Sequence, residues 1–141
     1  MKLYIDKNLG LDANKIRLAG EFCLFCAESL PIEGDFKIYM VGDRKSHGIG
    51  TTAVYEVNRN VCKIYCKNRS LVDCLRSIAH EMTHMMQDEM GLLVGNIRDA
   101  GGFHEDQANS RAGEIIKRFA KDVESGSRIY ESSLWNRVSI Y

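Results

Sequence analysis

The stretch Leu71-Val72-Asp73-Cys74-Leu75-Arg76-Ser77-Ile78-Ala79-His80-Glu81-Met82-Thr83-His84-Met85-Met86-Gln87-Asp88-Glu89-Met90 decides how this chain folds. It holds no Pro or Gly and runs between Ser70 and Gly91, a hydroxyl suited to cap a helix start and a residue suited to end one. Asp73, three residues after Ser70, makes an Asp version of the capping box. At about 100° per residue with His80 at zero, Leu71, Leu75, Ile78, Met82 and Met85 cluster at roughly 140° to 220°. His84 falls near 40° and Glu81 near 100° on the same wheel. The run therefore reads as one amphipathic helix from about Ser70 to Met90. Its two imidazoles lie one turn apart, opposite the apolar stripe.

Two imidazoles so placed can share one Zn²⁺ at about 2.0 to 2.1 Å, with the adjacent Glu81 within reach of a metal-bound water. The competing reading is two solvated histidines on a surface helix, and a third ligand decides between them. Asp88 lies on the right side of the helix, but about 12 Å along the axis from His80 it is too far to join both histidines on one ion. The segment Glu105-Asp106-Gln107-Ala108-Asn109-Ser110-Arg111-Ala112 offers more. With Glu105 at zero, Ala108, Ala112, Ile115, Ile116, Phe119, Ala120 and Val123 all fall within about 80°, whereas Asp106 points about 100° away. Glu105 thus heads an apolar stripe, where a carboxylate is costly unless paired or bound to a metal. The small Ala108 and Ala112 leave room for another helix. The alternative for Glu105 is a helix N-terminal acid favoured by the macrodipole. Asn109, one turn on, is placed to hydrogen-bond a ligating histidine through its other ring nitrogen; the alternative is an ordinary surface amide.

Outward from these helices, Leu3 to Ile5 reads as a short strand and Asn14 to Ser29 as a helix closed by Pro31. Phe36 to Val41, Thr51 to Val57 and Val61 to Cys66 are rich in β-branched and aromatic residues and read as three strands. Asn58-Arg59-Asn60 supplies a hairpin turn between the last two, and Gly42 to Gly50 reads as a flexible loop. A helix from Phe103 to about Glu124 follows the glycine-bearing connection Gly91 to Gly102, and the tail Ser125 to Tyr141 has no clear period. The expected organisation is one domain over 1–141: helix and sheet in 1–69, the two metal-binding helices in 70–124, the tail in 125–141.

The 141 residues are 45% hydrophobic and 27% charged, enough apolar content for a sizeable core. Nineteen basic residues balance nineteen acidic ones without a Lys/Arg block, which argues against nucleic-acid binding. No apolar run approaches a membrane span, and the charged start is unlike a signal peptide. The expectation is a soluble, cytoplasmic protein with neither membrane nor nucleic acid as partner. Five cysteines, Cys23, Cys26, Cys62, Cys66 and Cys74, are an odd number. The two close pairs have the composition of a four-cysteine zinc knot, but the apolar surroundings of Cys23 and Cys26 and the strand alternation of Cys62 and Cys66 favour buried, reduced thiols.

His80-Glu81-x-x-His84 followed by Glu105-x-x-Ala108-Asn109-x-x-Ala112 resembles the gluzincin metallopeptidases. The short second motif is most similar to the ImmA/IrrE-type signature, although Arg111 stands where that signature carries an aromatic. The resemblance covers Leu71 to Phe119. It implies a minimal zincin-like α+β domain, with a three- to four-stranded sheet on the H-E-x-x-H helix and a further helix bringing Glu105 to one Zn²⁺ as third ligand. It also implies peptide-bond hydrolysis of a peptide or protein substrate through metal-activated water, Glu81 acting as general base. A non-catalytic zinc-binding module with a structural or interaction role is the alternative. Candidates for stabilising the oxyanion are His104, His47 and Tyr130, and Thr51 to Val57 is the candidate edge for pairing with an extended substrate.

Overall fold

The computed structural model describes residues 1–93 and 102–130. The expectations for the middle of the Gly91 to Gly102 connection and for most of the C-terminal tail lie outside the described residues. Within them the chain runs β1 (Lys2–Ile5), α1 (Ala13–Ser29), β2 (Lys37–Val41), β3 (Ala53–Glu56), β4 (Val61–Tyr65), α2 (Leu71–Glu89) and α3 (Phe103–Asp122). The class is α+β, as expected: one four-stranded sheet in the order β1-β2-β4-β3, with α2 and α3 packed closely together. β1, β2 and β4 are parallel, and β3 runs antiparallel to β4 at the edge.

Alternation along the strands sends one set of side chains to each face. Leu3, Ile38, Cys62 and Tyr55 form one cross-strand row and Ile5, Met40, Ile64 and Ala53 another, and both join the core. The opposite face carries the stacked rings of Tyr4 and Tyr39, centroids 4.7 Å apart, and the Lys63–Glu56 ion pair at 2.7 Å. α2 presses its stripe of Leu75, Ile78, Ala79, Met82 and Met85 into the core, all fully buried. α3 contributes Ala108, Ala112, Ile115, Ile116 and Phe119, and Phe119 meets Phe22 and Phe25 of α1 edge-on.

The caps are local. Asp12 accepts from Lys15 N–H at the start of α1, and Ser70 Oγ from Asp73 N–H at the start of α2. Gly91, at φ 73°, ends α2: its N–H reaches the Asp88 carbonyl, and Leu92 N–H reaches the Gln87 carbonyl. This is the paired arrangement of a Schellman end.

Two segments differ from expectation. β3 is shorter than Thr51 to Val57, because the chain turns over 57–60 with Asn58 and Asn60 at positive φ. Asn58 N–H is accepted by Asp88 on α2 instead of by β4. The segment from Gly42 to Gly50, expected as a flexible loop, is anchored. Asp43 accepts from the N–H groups of Lys45 and Ser46, Arg44 lies 4.3 Å over the Tyr65 ring, and Ile49 is buried.

Candidate metal centre

α2 and α3 together build the site. The Nε2 atom of His84 lies 2.7 Å from one oxygen of Glu105, and that of His80 lies 3.1 Å from the other. The ligand atoms of His80, His84 and Glu105 lie within 4.8 Å of one another, the one such cluster of metal-capable groups among the described residues. Donors at about 2.0 to 2.1 Å from a tetrahedral ion stand roughly 3.4 Å apart, so the carboxylate at 2.7 and 3.1 Å lies somewhat closer to the imidazoles than such an ion would hold it. Close approach of the helices makes this contact possible, since Ala108 and Ala112, directly below Glu105, are fully buried. Asp106, one residue on, is exposed.

Glu81 sits beside this cluster with its carboxylate 3.8 Å from His80 Nε2, its side chain only 12% exposed. Burial and the neighbouring His84 lower the His80 pKa below its ordinary 6.5, against the opposing pull of Glu105 and a hydrogen bond to Asn109. The lowered value favours the neutral imidazole, the form that ligates a metal.

Gln87 was missed by the sequence reading. It is fully buried, and its amide nitrogen donates to the His104 carbonyl at 3.1 Å and to Gln107 Oε1 at 2.8 Å. Two acceptors on that side fix the orientation of the amide. Its oxygen therefore faces His84 Nδ1, 2.8 Å away, and accepts from it. That hydrogen bond puts the imidazole proton on Nδ1 and aims the Nε2 lone pair at Glu105. A lone pair and a carboxylate oxygen 2.7 Å apart repel unless a positive centre, either a proton or a metal ion, lies between them. The signal was present: on the helical wheel Gln87 falls near 340°, on the histidine side.

The remaining candidates are outside the metal-capable group. His104 opens α3 next to Glu105, but its Nδ1 is buried without a hydrogen-bond partner among the described residues, and its ring lies beside Phe103. His47 ends the short turn Lys45–His47. Tyr130 is 40% exposed. None belongs to the metal-capable cluster. Asp88, excluded as a ligand by distance, is structural: it accepts from the Tyr55 hydroxyl and from Asn58 N–H, tying the β3–β4 hairpin to α2. Arg111 donates to the Ser29 carbonyl at 3.0 Å and so ties α3 to the end of α1. Comparison with family models, curated proteins and solved structures gives no match to this chain.

Proposed function

We propose that this chain is a zinc-dependent metallopeptidase of the gluzincin kind. The observation that carries the proposal is the contact of both Nε2 atoms with one Glu105 carboxylate, with the Glu81 carboxylate alongside at 3.8 Å from His80 Nε2. His80, His84 and Glu105 would hold the ion, which when bound supplies an acidified water and a Lewis acid for the scissile carbonyl. Gln87 and Asn109 orient the imidazoles. Glu81 takes a proton from the attacking water and hands it to the departing amide nitrogen. β3 is one of the two edge strands and the one that packs against α2, so an extended peptide pairing with its outer edge would lie along the metal-binding helix.

The proposed partner is a peptide or protein. Balanced charge gives no footprint for nucleic acid, and no helix among the described residues is long and apolar enough to cross a membrane.

Metal analysis and two variants test the proposal. The purified protein should carry zinc and gain thermal stability from it. Glu81→Gln should keep the zinc and lose about 10²- to 10⁴-fold in hydrolysis of a peptide library, and His84→Ala should lose the zinc. Zinc retained by both variants would remove the site. Zinc bound by the parent without any hydrolysis that depends on Glu81 would leave the non-catalytic module as the reading.

A further inference from the structure

The connections that leave the parallel strands part at the carboxyl end of the sheet. Those after β1 and β4 lead to α1 and α2 on the helical face. The connection after β2 crosses to the other face, where Arg44 lies 4.3 Å over the ring of Tyr65, the strand neighbour of core Ile64. Such a parting leaves a crevice outside the strand ends, the usual place for a ligand in an open sheet with parallel strands. Here the crevice is a cavity of about 290 Å³, lined by residues 8–11 after β1, by residues 67–69 after β4 and by Met40 of β2 between them.

Every charged residue lining the cavity is a cation: Lys15 in the first turn of α1, Lys67 and Arg69. None of the three forms an ion pair among the described residues. Acids of the flanking segments are engaged elsewhere. Asp6 accepts from Gly42 N–H, Asp12 accepts from the backbone N–H of Lys15, and Asp73 pairs with Arg76 at 3.4 Å. Arg69 is fixed by the carbonyls of Tyr65 and Asp73 and by Ser77 Oγ, at 2.6, 3.0 and 2.7 Å, neutral acceptors that hold the guanidinium without cancelling its charge. Three like charges around one cavity repel one another and favour an occupant of opposite sign. Leu9, Leu11, Met40 and Leu71 give the same cavity an apolar wall.

We propose that this cavity binds a small phosphate monoester, its phosphoryl group held by Lys15 and Lys67 in the field of Arg69 and its organic part against the apolar wall. A phosphate monoester carries close to two negative charges at neutral pH, which answers three cations better than the single charge of a carboxylate. Lysine binds phosphate as a point charge and needs no planar partner. The volume lies at the small end for ligand cavities and suits an ester of one ring or a short chain. The site is separate from the metal centre: of α2 it uses Leu71 and Cys74, and Cys74 lies six residues, about 9 Å along the axis, before His80. When filled it joins the connection before α1 to the connection before α2, so the ligand stabilises the fold.

Calorimetric titration with phenyl phosphate at neutral pH and low ionic strength, on the purified protein with its metal content as isolated, tests this. The expected result is one molecule bound per chain, a raised melting temperature and an affinity that falls with added salt. Lys15→Ala and Lys67→Ala should each weaken binding about tenfold, the size of a lost hydrogen bond to a charged group. Lys67 is exposed and Lys15 half-buried, so neither substitution opens the core. Phenylacetate, with the same ring and one charge, should bind at least about tenfold more weakly, and inorganic phosphate, without the ring, should also bind more weakly. His84→Ala, or chelator treatment of the parent protein, should leave the affinity unchanged, whereas a phosphate held by zinc would be lost. A dissociation constant weaker than about 1 mM, equal binding of phenylacetate, unchanged affinity in either lysine variant, or loss of binding with the metal would overturn the proposal.

Discussion

The metal-capable group of His80, His84 and Glu105 and the thiols sealed in the core make a comparison, because burial acts on imidazoles and thiols in opposite directions. Cys23, Cys26 and Cys62 sit at 0% exposure in the core and are close enough that Cys23 and Cys26 both raise the Cys62 pKa. Burial pushes the Cys23 thiol up to about 12 and the Cys26 thiol well above its ordinary value. His80 is lowered, chiefly by its own burial. Desolvation favours the uncharged form in both cases. For an imidazole the uncharged form is the ligand, whereas for a thiol the ligand is the charged form that burial suppresses. A low-dielectric environment therefore prepares the histidines for a metal and disarms the thiols. What separates the two groups further is polar support: Gln87 is hydrogen-bonded to His84, and Glu105 faces both imidazoles. In the four-strand sheet Cys62 belongs to the apolar row of Leu3 and Ile38.

The largest effect should come from swapping the roles of the two clusters. Glu105→Ala should take bound zinc from about one ion per chain to none. A Cys23→Ala, Cys62→Ala double variant should keep the ion while losing several kcal/mol of stability, as truncated core residues do. Metal analysis of both variants checks this, and loss of zinc from the cysteine variant would reverse the comparison.

A smaller effect isolates the polar support. Gln87→Met keeps the shape of the side chain but removes the acceptor at His84 Nδ1 and the donor to His104 and Gln107. Zinc affinity should fall about 10- to 100-fold, as for other groups that orient ligating imidazoles, and competition with a chelator of known affinity measures it. Unchanged affinity would mean that the lone pair of His84 needs no such orientation.

The same contrast predicts a stability profile with losses at both ends of the pH range. An unfolded cysteine titrates near 9.0, and folded Cys23 at about 12. Between these values the unfolded chain has released protons that the folded chain keeps, so stability is full below about pH 9 and falls as pH rises toward 12. His80 contributes the opposite limb. Its folded pKa lies below 6.5, so its contribution is full above pH 6.5 and declines as pH falls through that value. Melting temperature against pH in the presence of a chelator should show both limbs, and a flat alkaline limb would contradict the sealed state of the thiols.

Much of this arrangement was legible in the chain. Period and caps placed α2 to within a residue at each end, and the same wheel put Glu105 above Ala108 and Ala112 and turned Asp106 to solvent. These are properties of single helices, which local spacing reports directly. Gln87 was missed although its wheel angle was available, because a polar residue on a polar face draws attention only when its burial is known, and α3 supplies that burial. The anchoring of 42–50 and the early end of β3 were not legible for a related reason. Arg44 over Tyr65, and Asp88 reaching Tyr55 and Asn58, are contacts between segments far apart in sequence.

The smallest effect concerns the end of α2, where local sequence and tertiary placement meet. Gly91 adopts φ 73° with open space around the position of a Cβ, so Gly91→Ala meets no clash and carries only the backbone penalty of the left-handed region. The expected cost is about 1 kcal/mol, read as a small drop in melting temperature. The residues just before it do the tethering. Asp88 holds the β3–β4 hairpin, and Glu89 accepts from the N–H groups of Glu33 and Gly34 after α1. His84 lies more than a turn further back, and its partner Gln87 is anchored to α3 independently of the cap. Zinc affinity should therefore stay within about twofold of the parent. A variant that lost zinc affinity along with the cap would show that the end of α2, and not the contact with α3, sets the position of His84.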